Sequence, residues 1–192
     1  CALPIWVYPE SLSTFCTPLD DGRRHRWGPL APCARVEVDL QKPNQRWKGH
    51  AYLDSNEGDE PISEPFREWD WSRAILADGS TAVIYDVQQK QGEDRLLGLR
   101  FTPSGSLEEF APPPRQELEL TGWRIARRMR SEGDAPVRVI DMLEDTPFYE
   151  RSVLKSRLFG QDVISVHETL NVPRLVSPIV QRMLPFRMPR VG

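Results

Sequence analysis

The sequence predicts an all-β fold, an antiparallel barrel or sandwich, and three observations carry that expectation. Through most of the 192 residues apolar and polar side chains alternate with a period of two, which in a strand places one set on each face. Turn-forming pairs such as Asp78-Gly79 and Gly92-Glu93 fall between the alternating runs. Little of the chain shows a convincing helical period. About eight or nine strands joined by short turns fit this pattern.

Taken in order, residues 34–40 (ARVEVDL) put Val36, Val38 and Leu40 on one face and charges on the other. Residues 80–87 (STAVIYDV) are rich in β-branched and aromatic side chains, which suit a pleated surface. Residues 95–101, 117–129, 137–143 and 162–170 are further strands by the same alternation. Residues 148–159 read as a strand, with helix as the alternative. The run Ala111-Pro112-Pro113-Pro114 is a connection, because proline cannot donate to a ladder. A composition shift at 29–32 (PLAP) marks a domain boundary, dividing the chain into 1–32 and 33–192.

The last stretch, 172–190, differs from the rest. Leu175, Val176, Ile179, Val180, Met183, Leu184 and Phe186 are apolar, and Arg174, Arg182, Arg187 and Arg190 have no acid among them. It reads either as an arm closing the barrel or as an interfacial segment resting on anionic lipid. Prolines at 173, 178, 185 and 189 argue against a long regular helix.

Composition bounds the function. Apolar residues make up 39% of the chain, enough for a sizeable core, and the formal net charge is −3. That balance gives no reason to expect nucleic acid or an acidic polymer as partner. No apolar stretch approaches the ~20 residues of a membrane-spanning helix. Cys1-Ala2-Leu3-Pro4-Ile5 reads like a translated adapter, so it is set aside as non-native in the fold reasoning. Cys16 and Cys33 form no C-x-x-C pair and have no histidine at zinc spacing, which leaves two unpaired thiols in a reducing compartment. Phosphate loops, G-x-S-x-G, Cys–His pairs and redox-cofactor motifs are missing from the sequence. No metal and no cofactor are therefore expected.

The densest site-like stretch is 47–61 (WKGHAYLDSNEGDEP), followed by 69–73 (WDWSR). In a strand Tyr52 and Asp54 share a face, joined by His50 if the strand extends that far; Trp69, Trp71 and Arg73 repeat the stagger. An inward row of Tyr, Asp, Trp and Arg is a strange filling for an ordinary core, since acids and arginine are rarely buried unpaired. Spacing alone leaves two readings open, an active site or an exposed aromatic rim at a barrel mouth. Asp54, Ser55, Asn56, Gly58 and Asp59 also suit a turn, and the acid-rich loop misses the EF-hand spacing for calcium. His167 lies in an alternating strand and reads as a satisfied structural histidine; His25 and Trp27, two apart, are unremarkable by spacing.

Residues 49–61 (GHAYLDSNEGDEP) and 69–74 (WDWSRA) resemble the core signature of the carotenoid 1,2-hydratase (hydroxyneurosporene synthase) family. The resemblance continues through 144–149 (EDTPFY), 166–168 (VHE) and 184–190 (LPFRMPR) and covers nearly everything from about Arg23 onward. It implies a tandem of lipocalin-like β-barrels, with 1–32 the remnant of the first and 33–192 the second, and a fragment inactive alone if substrate lies between the two. The family's H-x-W and Y-x-D positions fall on His25 with Trp27 and on Tyr52 with Asp54; His50 matches no motif of the family.

The resemblance further implies hydration of the terminal C1–C2 double bond of an acyclic carotenoid of the neurosporene or lycopene type, without a cofactor. Protonating C2 leaves a tertiary cation at C1, and a carboxylic acid whose pKa is raised by burial is a suitable donor. Asp54 takes that role here, with Asp59, Glu60, Asp70 and Asp86 in reserve. Tyr52 and Trp27 present π-faces to the cation. His25 either holds Asp54 protonated or positions the water and accepts its proton. Trp69, Trp71, Arg73 and Tyr85 are expected to line the substrate. The implied setting is the cytoplasm of a photosynthetic bacterium, peripheral on the inner membrane and in contact with its lipid. A non-catalytic lipocalin-like carrier of a hydrophobic ligand is the rival reading, because fold alone does not separate the two.

Overall fold

The computed structural model describes residues 4–42, 44–133 and 136–186. Among these the chain runs through thirteen strands and two short helices. The first four strands are β1 (Ile5–Pro9), β2 (Thr17–Pro18), β3 (His25–Leu40) and β4 (Gln45–Gly58). Then come β5 (Phe66–Ile75), β6 (Thr81–Gln89), β7 (Arg95–Phe101), β8 (Leu107–Glu109), β9 (Arg115–Glu117) and β10 (Arg128–Arg130). The chain closes with β11 (Arg138–Asp145), β12 (Tyr149–Leu158), β13 (Gln161–Asn171), α1 (Val172–Leu175) and α2 (Pro178–Met183).

The all-β, antiparallel expectation holds. In one sheet the long strand β3 pairs with β1, β2 and β4. The other has seven strands in the order β11-β12-β13-β5-β6-β7-β8, and β9 with β10 makes a small separate ribbon. The main core forms where the two sheets face each other, with Trp27 and Cys33 from β3 against Trp71, Val83, Tyr85, Val87 and Leu99. Strand β6 is buried along its whole length, because the opposite face of the seven-stranded sheet is covered as well. Burying Val83 and Val87 completely contributes roughly 1.5–3 kcal/mol each.

Several sequence expectations change in detail. Strand β3 starts at His25, not residue 34, and runs unbroken through 29–32. Its prolines sit where the ladder with β4 shifts register, between Pro29 and Ala31 and between Ala31 and Ala34. Bulges tolerate proline because the ladder is already interrupted there. Ile5 pairs with Val38, whereas residues 1–3 lie outside the described part.

Residues 117–129 do not form one strand. Only their ends pair, in β9 and β10, and Arg124 adopts a left-handed backbone between them. The period of two has a different cause: Ile125, Arg127 and Met129 point down onto the seven-stranded sheet and are buried there. An extended loop lying on a sheet produces the same alternation as a strand within one.

The C-terminal segment breaks into two short helices, each with proline at its start and a side-chain cap, Asn171 and Ser177. Val172 is fully buried, and Arg174 donates to the carbonyls of Trp123, Pro147 and Arg124. Arg174 is thus a clamp holding this arm and is removed from any lipid-facing set. Arg187, Pro189 and Arg190 lie outside the described residues. Among the described residues no helix is long and apolar enough to cross a membrane.

Candidate active site

Strand alternation and register bring the site together. On β5, Trp69, Trp71 and Arg73 point toward the facing sheet. Trp71 lies opposite Tyr85 of β6 on one side and Glu168 of β13 on the other, and Glu168 lies opposite Arg151 of β12. Tyr85, Trp71, Glu168 and Arg151 therefore form one row across four strands. The facing sheet contributes Trp27 from β3 and Tyr52, Asp54 and Asn56 from β4. Together with Leu143 and Val166 these residues enclose a cavity of about 470 Å³.

The aromatic wall is interlocked by ring contacts, one edge to face and one tilted. Trp27 and Tyr85 have ring centroids 5.4 Å apart at 84°, and Tyr52 and Trp71 are 5.5 Å apart at 55°. The buried indole of Trp27 donates from Nε1 to Asp54 Oδ2 at 2.8 Å. That bond fixes the carboxyl and leaves Oδ1 as the oxygen turned to other partners. The Arg73 guanidinium stands 5.4 Å from the centroid of the Tyr52 ring. Glu168 Oε1 accepts both Nε and Nη2 of Arg151, each at 2.8 Å.

Two buried donors in the wall lack a well-formed bond: Trp71 Nε1 has no partner among the described residues, and Tyr52 Oη has only Asp54 within reach. Native structures rarely leave such groups unpaired, so their presence in a cavity marks them as contacts for a bound molecule. Burial, and then the charge of Asp54, push the Tyr52 phenol well above its ordinary range. Tyr85 is raised likewise, first by burial and then by Asp54 and Glu168. Both phenols stay neutral and present π-faces. Burial draws the Arg73 guanidinium down, against the opposing pull of Tyr52, Asp54 and Glu168.

Seven of the eight residues expected at the site line this one cavity: Trp27, Tyr52, Asp54, Trp69, Trp71, Arg73 and Tyr85. His25 does not. It opens on an adjoining cavity of about 350 Å³, beyond a wall of Asn56, Trp69 and Tyr85 that both cavities share. In the β3–β4 ladder Asp54 is paired with Pro29 and His25 with Gly58, four residues further along β4 and so roughly 13 Å away. The hydrogen bond expected from His25 to Asp54 comes from Trp27 instead. The His25 ring packs on Phe66 at 4.9 Å, its Nε2 is buried without a partner, and a side chain at Gly58 would strike its Nδ1. His50 is exposed and lines a separate recess with Cys33 and Arg35, so it does not share the face of Tyr52.

Asn56, Leu143, Arg151, Val166 and Glu168 also line the cavity, and sequence reasoning does not single them out. Val166 and Glu168 carry the same two-residue stagger as Trp71 and Arg73, which is the signal that could have found them. The reserve carboxylates Asp70 and Asp86 point to the opposite face of the sheet, where they are already paired. Asp70 accepts from Thr169 and from the Arg128 amide, and Asp86 from Arg115 and Arg130. His167 sits on that same face with Nδ1 2.7 Å from Glu150 Oε1 and Nε2 2.8 Å from the Arg128 carbonyl. Burial pulls its pKa down, but Glu150 and Asp70 more than reverse this and raise it. It is a structural histidine. No group of three or more potential metal ligands occurs among the described residues.

Comparison with known proteins identifies the family of the chain. The family model for carotenoid hydratase CrtC matches residues 4–192. The acyclic carotenoid 1,2-hydratase of Rubrivivax gelatinosus is 60% identical over 184 residues, covering 96% of this chain and 45% of that protein. That of Thiocapsa roseopersicina is 52% identical over 189 residues, covering 98% and 46%. That of Cereibacter sphaeroides is 37% identical over 187 residues, covering 97% and 66%. The chain thus spans less than half the length of the first two relatives. No solved structure gives a significant match. On the strength of a match running almost from end to end, the chain belongs to the carotenoid hydratase CrtC family.

Proposed function

We propose that the cavity between the two sheets is the reacting site of a hydro-lyase that adds water across the terminal C1–C2 double bond of an acyclic carotenoid. The observation that carries this reading is the Trp27–Asp54 hydrogen bond, which fixes a carboxyl group in an aromatic-walled cavity. Asp54 gives its proton to C2, the π electrons form the new C2–H bond, and C1 becomes a tertiary cation. The faces of Trp27 and Tyr52 stabilise that cation, each by up to ~2 kcal/mol when water is excluded. Water then attacks C1. His25 holds water in the adjoining cavity, from which the reacting cavity is replenished; this suits its unpartnered Nε2 better than contact with Asp54.

In this reading the two facing sheets are walls of a lipocalin-like barrel, the second of a tandem. The polyene, far longer than the cavity, extends outside it. The protein rests on the cytoplasmic side of the membrane that dissolves its substrate. Ile179 and Phe186, more than 70% exposed beside Arg182, are the proposed lipid contacts. Flotation with anionic liposomes checks them: Ile179→Ser with Phe186→Ser should lower binding, and unchanged binding would remove the segment from the account.

The decisive variant for the chemistry is Asp54→Asn in the full-length gene product. It should abolish formation of the 1-hydroxy carotenoid while circular dichroism stays unchanged. Conversion of lycopene or neurosporene at the wild-type rate would remove Asp54 as donor.

A further inference from the structure

We propose that Glu168 is the base that takes the proton from the attacking water. The inference rests on the hydration reading above and adds the residue that completes the reaction. Five observations carry it. Glu168 projects from the seven-stranded sheet into the same cavity that Asp54 enters from the opposite sheet. A substrate between the sheets therefore has one carboxyl group on either side, so one face of the double bond can receive a proton while the other receives water. His25, the other basic group nearby, stands beyond the shared wall of Asn56, Trp69 and Tyr85.

The carboxylate is also held for the task. Both bonds from Arg151 fall on Oε1, and Tyr149 also bonds the carboxylate, so the group is held in place at the cavity wall. With its side chain 23% exposed, Glu168 can pass a captured proton to solvent. Finally, the two guanidinium groups near the site, Arg73 and Arg151, would oppose a carbocation. A carboxylate beside them offsets that charge, and Glu168 supplies it from the row it shares with Trp71.

The step balances. The Asp54 O–H bond breaks and C2–H forms; a lone pair of water forms the C1–O bond. The oxonium proton goes to Glu168, leaving the neutral alcohol. Asp54 is then a carboxylate and Glu168 a carboxylic acid. Release of one proton to solvent from Glu168 and uptake of one by Asp54 restores the starting state. No oxidant or reductant is needed.

The test separates protonation from water capture. The full-length gene product is incubated with lycopene in deuterated water, and both the 1-hydroxy product and the deuterium in recovered lycopene are measured. If the base is lost, the cation still forms and reverts by losing a proton, so recovered substrate gains deuterium although hydration fails. Glu168→Gln should lower hydration by about 10²-fold with deuterium incorporation at or above wild type. Glu168→Asp, which keeps the charge opposite Arg151, should move both readouts the same way by a smaller factor, and it stands in should the glutamine variant not fold. Hydration within about threefold of wild type would overturn the proposal, as would joint loss of hydration and exchange in a folded variant. Asp54→Asn should lose both. A wild-type protein that neither hydrates nor exchanges would overturn the hydration reading, and this inference with it.

Discussion

Along β5, β12 and β13 successive residues alternate between the two faces of one sheet, and the two faces treat their polar groups differently. Toward the cavity point Trp71, Arg73, Arg151 and Glu168; away from it point Asp70, Glu150 and His167. On the outer face the charged groups are paired, and those nearest the sheet are buried. Glu150, fully buried, accepts from Arg127 and meets His167, while Arg128 reaches Glu68 and Glu117. On the cavity side Arg151 pairs with Glu168, but Trp71 Nε1 is buried without a partner, Tyr52 Oη has only Asp54 within reach, and Arg73 leans on a ring. The difference separates structure from chemistry. Buried ion pairs fasten the loop around Ile125 and Arg127 onto the sheet, whereas the cavity wall leaves a donor for something bound.

That contrast can be broken most forcefully at Glu150. Glu150→Gln leaves Arg127 as a buried charge without its counterion, which should cost about 3–5 kcal/mol of stability. Its cavity-side counterpart, Asp54→Asn, should shift stability by less than about 1 kcal/mol, since it keeps the shape and an acceptor for Trp27. Urea titrations of both variants check the pair. Equal losses would show that the two faces are not divided as described.

A smaller effect sharpens the same comparison by pH. Burial raises the Asp70 carboxyl from its ordinary 3.8 to about 6, although His167, Thr169 and Arg128 pull it back. The folded state therefore holds this proton more tightly than the unfolded chain does. The stability it contributes is fully present below pH 4 and is lost as pH rises to about 6. Asp70→Asn should flatten the stability profile across that window, measured by urea midpoints at stepped pH. A slope unchanged from wild type would assign it to another group. The raised His167 acts in a separate window: its contribution is present below the ordinary 6.5 and is lost as pH passes the higher folded value.

Much of this site is legible in the amino-acid sequence, for a simple reason. Tyr52 with Asp54, and Trp69 with Trp71 and Arg73, are neighbours along single strands, and period-two spacing puts each group on one face. Glu168 and Arg151 are not legible in that way. Their place beside Trp71 depends on register between strands more than eighty residues apart in sequence at the widest, which local pattern does not encode. His25 shows the opposite failure. Its spacing from Trp27 is correct, but the two-residue step carries it past the cavity wall. Residues 117–129 alternate as a strand does and yet form a loop, because one-sided burial leaves the same imprint whether or not hydrogen-bonded neighbours are present.

The central claim is that the cavity between the sheets adds water to a carbon–carbon double bond. Incubating the full-length gene product with lycopene in water labelled with heavy oxygen tests it most directly. The account predicts that the new hydroxyl carries the label in the wild type and that Asp54→Asn yields no hydroxylated product. An unlabelled hydroxyl, or labelled product formed equally by both proteins, would contradict it.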